Sequence, residues 1–126
     1  MKVRAYLDIE TTGLSRNWCD LTVIGIFLEK NRQCQVIQLI ENDLSEGKLL
    51  KSLKGVDEVY TYNGSRFDLP FIKARLGVNL KDCFKHTDLT LWTHIFTFNF
   101  THCIFSIKIN ICFYLIHILS FVLIWY

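Results

Sequence analysis

Asp8-Ile9-Glu10-Thr11-Thr12-Gly13-Leu14 and Tyr62-Asn63-Gly64-Ser65-Arg66-Phe67-Asp68-Leu69-Pro70-Phe71 are the two stretches on which the reading of this chain turns. The first ends a run in which Val3, Ala5, Leu7 and Ile9 alternate with Arg4, Tyr6 and Asp8, the period of a β-strand. Asp8 and Glu10 lie two residues apart, so both side chains leave one face of an extended strand. Paired carboxylates repel, and a hard divalent cation between them relieves the repulsion. By itself Asp-x-Glu reads more readily as an exposed acidic strand end. The second stretch places Asp68 at the start of a helix, directly after another β-rich run, Val59-Tyr60-Thr61-Tyr62. Alone, that acid is a helix cap. If the two strands are parallel neighbours, however, their carboxyl ends meet, where open α/β sheets hold ligands. Asp68 then faces Asp8, Gly64 lets the backbone turn tightly, and Phe67 packs inward to hold Asp68.

Working outward, Leu21–Leu28 and Cys34–Ile40 are further apolar runs, and the connection between them is short enough for a hairpin. Asp43-Leu44-Ser45-Glu46 caps a helix with Leu44, Leu49, Leu50 and Leu53 as its stripe and Gly55 as its end. A second helix runs from Asp68 with Leu69, Ile72, Ala74 and Leu76 on one face, Pro70 in its first turn and Gly77 as its stop. A last strand begins within Phe84–His86. The order β-β-β-α-β-α-β predicts an α/β fold. Its mixed sheet has three antiparallel strands joined by short turns, then a helical crossover to a parallel strand.

The net charge of +2 permits a nucleic-acid partner without demanding one. The five cysteines (Cys19, Cys34, Cys83, Cys103, Cys112) are odd in number and lack Cys-x-x-Cys spacing, so they read as small buried thiols. No apolar signal-peptide core follows Lys2 and Arg4, which predicts a cytoplasmic protein. Composition breaks near Leu91. Residues 91–126 hold one charged side chain, Lys108, and no Ala, Gly, Pro, Asp, Glu, Arg, Gln or Met. One explanation is a membrane span over Ile109–Tyr126, but Lys108, Asn110 and His117 interrupt it and the small residues usual in spans are missing. The composition favours a second: AT-rich DNA read out of frame or past an exon boundary. Residues 1–90 are therefore the folded domain and 91–126 an atypical hydrophobic tail.

Together the motifs resemble those of the YprB-like ribonuclease-H-like domains, in the DEDD superfamily of 3′–5′ exonucleases. The resemblance rests on Asp8 through Leu14, Val23-Ile24-Gly25-Ile26, Tyr62 through Phe71 and His86-Thr87-Asp88-Leu89, and covers about residues 1–90. It implies a ribonuclease-H-like fold and phosphodiester hydrolysis at the 3′ end of DNA or RNA. Asp8, Glu10 and Asp68 would hold two Mg²⁺ or Mn²⁺ ions, one activating water and one stabilising the leaving oxygen. Glu10 would also help bind the terminal nucleotide, Thr11, Leu14 and Asn63 would line its pocket, and Arg66 reads as a solvated side chain. The family pattern also has a fourth carboxylate on a late helix, a Tyr or His preceding it. Asp88 is the last acid of this chain, so residues 89–126 supply none, and Asp88 itself is the one substitute available. The expectation is a domain incomplete at its C-terminus and an impaired exonuclease. The alternatives are a non-catalytic nucleic-acid-binding or interaction remnant of the same fold, and a small membrane-anchored protein.

Overall fold

The computed structural model describes residues 2–31 and 33–90. In chain order they form β1 (Arg4–Thr11), β2 (Leu21–Lys30), β3 (Gln33–Ile40), α1 (Glu46–Ser52), β4 (Glu58–Thr61), α2 (Asp68–Leu76), α3 (Leu80–Cys83) and β5 (Lys85–Asp88). The strands make one five-stranded sheet in the order β3-β2-β1-β4-β5. β1, β2 and β3 pair antiparallel, and β4 and β5 add parallel to β1. This is the mixed α/β sheet read from the sequence.

Alternation along β1 sends Ala5, Leu7 and Ile9 into a core shared with Ile24 and Ile26 of β2. Leu49 and Leu53 at α1, and Leu69, Phe71 and Ile72 of α2, close that core from the helical side. On the other face Tyr6 stacks on Tyr60 with ring centroids 5.1 Å apart and meets Phe27 edge-on at 6.0 Å. The helix ends follow from local chemistry. Ser45 caps α1 by accepting the Lys48 N–H at 3.4 Å. Gly77, at φ 79°, closes α2 in the left-handed region and donates its N–H to the Lys73 carbonyl at 3.0 Å.

Four expectations are corrected. The β1–β2 connection is a long loop, Thr12–Asp20, rather than a short turn. Its two ends are clasped, Thr12 N–H to the Asp20 carbonyl at 2.9 Å and Asp20 N–H to Thr12 Oγ1 at 2.8 Å. In α2 the buried aromatic is Phe71 while Ala74 is exposed, because the helix rolls its Leu69–Phe71–Ile72 side onto the sheet. The described thiols are not buried: Cys34, on the outer strand β3, and Cys83, at the end of α3, are exposed, and Cys19 is half-buried, while Cys103 and Cys112 lie outside the described residues. The short helix α3 stands between α2 and β5 where no helix was expected. Among the described residues no helix is long and apolar enough to cross a membrane. The tail readings, and the expected C-terminal incompleteness, fall on residues 91–126 and lie outside the described residues.

Candidate active site

β1 stays extended through Thr11, with Asp8 opposite Gly25 and Glu10 opposite Val23. The two acids therefore share one face near the carboxyl end of the strand, and the pairing becomes irregular between Glu10 and Thr11. β4 runs parallel beside β1, Ala5 opposite Val59 and Tyr6 opposite Tyr60, so the chain leaving Thr61 emerges at the same end of the sheet. There the backbone turns through Asn63 at φ 59°, a left-handed conformation that Asn tolerates better than most residues. Asn63's carbonyl accepts the N–H groups of Arg66 at 3.1 Å and Phe67 at 3.2 Å, and α2 starts at the next residue.

That next residue is Asp68. It is 4% exposed and does not act as the helix cap: the cap position is Phe67, with no side-chain bond. Burial pushes the Asp68 carboxyl up, the negative charge of Asp8 pushes it further, and Asp88 adds to both. N–H bonds from Asp68 itself and from Ile9 pull the other way, and the balance leaves it at about 7. The Ile9 bond also ties the start of α2 onto β1 between the two acids. Gly64 is where this crowding is greatest, since a Cβ there would lie 2.8 Å from Asp68 Oδ2 and closer still to Thr61.

Asp88, on β5, is held by donors from the turn before Asp68 and from Thr90. Its Oδ1 accepts Asn63 N–H at 3.0 Å, Thr90 N–H at 3.1 Å and the Thr90 hydroxyl at 2.7 Å; its Oδ2 accepts Ser65 N–H at 2.8 Å. Burial raises this carboxyl, but the donors of Ser65 and Thr90 outweigh it and bring it to about 2. Asp88 is thus the clasp of the loop that delivers Asp68. Behind it, the fully buried Thr61 places its Oγ1 2.8 Å from His86 Nε2. An acid held below its ordinary value stabilises the fold above about pH 4, and that contribution is lost as pH falls towards 2. Asp88→Asn leaves a weaker, one-oxygen acceptor and faces Ser65 N–H with a second donor. We expect a loss of about 2–3 kcal/mol in urea unfolding at pH 7. Unchanged stability would mean the clasp is not holding the loop.

The remaining candidates are placed as follows. Thr11 donates its hydroxyl to the Gly13 carbonyl at 2.7 Å, shaping the loop. Leu14 is 87% exposed, and Trp18 on the same loop, which the sequence reading passed over, is 86% exposed. Arg66 is exposed, as expected. Among the described residues no three His, Cys, Asp or Glu side chains converge at metal-ligating spacing. Asp8 and Asp68 are the acids brought into electrostatic contact, and Glu10 stands beside them on Asp8's face of β1. The donor chemistry fits a hard cation: all three are carboxylates, and the buried one is destabilised as an anion by its neighbour.

A sequence model of the RNase_H superfamily matches residues 5–107. The chain belongs to the RNase_H superfamily. It is also similar to a DNA polymerase of Methanocaldococcus jannaschii, 48% identical over 31 residues, which are 25% of this chain and 2% of that protein. Among solved structures it is similar to NrnC of Brucella melitensis, at 29% identity and a TM-score of 0.44, over 60% of this chain and 37% of that one. NrnC has also been solved with bound Mg²⁺ and bound to pGG. Exonuclease I of E. coli in complex with a dA16 oligonucleotide aligns at 14% identity and a TM-score of 0.47, over 71% of this chain and 28% of that one.

Proposed function

We propose that this chain is a metal-dependent 3′–5′ exonuclease domain acting on single-stranded ends of DNA or RNA in the cytoplasm. The observation that carries this reading is the buried Asp68 carboxyl at the start of α2, raised by the charge of Asp8 across the β1–β4 strand ends. Two acids delivered from distant parts of the chain and forced together destabilise a protein, and a cation between them relieves that cost. Asp8, Glu10 and Asp68 would hold Mg²⁺ or Mn²⁺, which supplies water activation and neutralises phosphodiester charge. The chain's own part is positioning. Ile9 N–H fixes Asp68, Asp88 fixes the turn before it, and β1 holds Asp8 and Glu10 on one face. Thr11, Leu14 and Asn63 would line the pocket for a terminal nucleotide.

Turnover by this chain is slow, because residues 89–126 contain no acid and Asp88 is committed to backbone donors. The lack of three converging ligands among the described residues favours a second reading, a nucleic-acid-binding domain without catalysis. Purified protein incubated with Mn²⁺ and a 3′ single-stranded oligonucleotide separates the two. Shortening that Asp8→Ala reduces by at least a hundredfold supports the exonuclease. Wild-type protein that never shortens the strand leaves the binding domain.

A further inference from the structure

A cleft of about 600 Å³ is lined by Arg16 of the Thr12–Asp20 loop, by Ser65 of the turn before Asp68 and by residues of α2 and α3. Its floor is apolar: Leu69, Pro70 and Ala74 of α2. Its rim is cationic, with Arg16 from the loop, Lys73 from α2 and Lys81 from α3. All three are exposed, and among the described residues none forms an ion pair; no acid lines the cleft. The neighbouring Arg75 is different. It bonds the Cys19 carbonyl and lies 3.8 Å from Asp20, so its charge is spent tethering the loop to α2 and keeping the two walls together.

We infer that this cleft is a track for the phosphodiester backbone and bases of a single nucleic-acid strand leading away from the acids. The inference rests on the nucleic-acid reading of the site above, and deepens it by naming where the strand lies. Two observations carry it. Free cations over an apolar floor match a polymer that alternates charged phosphates with flat apolar faces. The cleft borders the segment that carries Asp68, because Ser65 at its edge is the residue whose N–H Asp88 holds, and Leu69 on its floor follows Asp68. Asn79, also lining the cleft, has its side chain bonded to Asp82 at 2.9 Å and is a wall rather than a reader of bases.

The test is binding of fluorescent dT12 to the full chain in EDTA, with no cleavage needed, over a salt series. Lys73→Gln/Lys81→Gln should weaken binding about tenfold and flatten the plot of log K against log salt by about 1.4, two phosphate contacts at roughly 0.7 each. Lys51→Gln/Lys54→Gln, which removes the same charge at α1, should leave both unchanged. Wild-type protein that does not bind, or a cleft variant that matches wild type in affinity and slope, overturns the track. Poly-glutamate of matched charge displacing dT12 as well as unlabelled dT12 does also overturns it, since an acidic peptide would then be the partner. Mn²⁺-dependent cleavage and its loss in Asp8→Ala are read separately, so a bound but uncut strand sinks the exonuclease and leaves the track standing.

Discussion

Asp68→Asn is expected to abolish Mn²⁺-dependent cleavage and, in the same protein, to raise its stability without metal at pH 8. The two effects have one cause. The folded chain holds the Asp68 proton at about 7, whereas the unfolded chain releases it near 3.8. Between those values the native state binds more protons than the unfolded state, so stability is full below about pH 4 and falls as pH rises towards 7. At about 1.36 kcal/mol per unit the penalty at pH 8 is a few kcal/mol. Asparagine still accepts the Ile9 N–H and turns a neutral donor towards Asp8, so it escapes the penalty. It cannot serve as an anionic ligand. Urea unfolding in EDTA at pH 5 and pH 8 checks the claim: wild type should lose stability between them and Asp68→Asn should not. Wild-type stability that is flat or rising over that interval would falsify the account of Asp68. Mn²⁺ should return the lost stability to wild type at pH 8 and do nothing for the variant.

Gly64→Ala is expected to be the most disruptive single methyl group near the site. The added Cβ would sit 2.2 Å from Thr61 Oγ1, 2.3 Å from Thr61 Cβ and 2.8 Å from Asp68 Oδ2. Thr61 cannot yield, being fully buried at the end of β4 with its hydroxyl against His86. The turn must therefore lift, and with it the N–H groups of Asn63 and Ser65 that Asp88 holds. We expect a loss of about 3 kcal/mol or more and cleavage below detection. Gly47→Ala in α1 meets nothing within 4 Å and should be neutral or slightly stabilising, since alanine suits a helix better. Similar melting shifts for both variants would show that the crowding at Gly64 is not real.

Much of the scaffold could be read before any coordinates. Period-two alternation along Val3–Ile9 located β1 and placed Asp8 and Glu10 on one face, because side-chain direction in a strand is a local property. Pro70 and Gly77 bracketed α2 for equally local reasons, one tolerated in a first turn and the other at home at positive φ. The helix before β4 implied a parallel strand, but its place beside β1 was left as a condition and is set by the sheet order. Local reasoning failed where partners are far apart in sequence. Nothing along the chain marked Asp88 as a clasp for residues 23 and 25 positions earlier. His86 and Thr61 gave no periodic signal for the same reason. Cys34 was read as a buried thiol from cysteine number and spacing, but it lies in the first half of edge strand β3, whose first four residues are all exposed.

The two opening motifs thus divide cleanly. The sequence alone determined that Asp8 and Glu10 leave one face of a strand and that a helix begins at Asp68, since each depends on residues within a few positions. Tertiary structure decided what those acids are. Burial of Asp68 under α2, the charge of Asp8 brought beside it and the hold of Asp88 on the intervening turn are long-range effects. Solvation and Coulomb energy depend on distance through space, and no spacing along the chain records that.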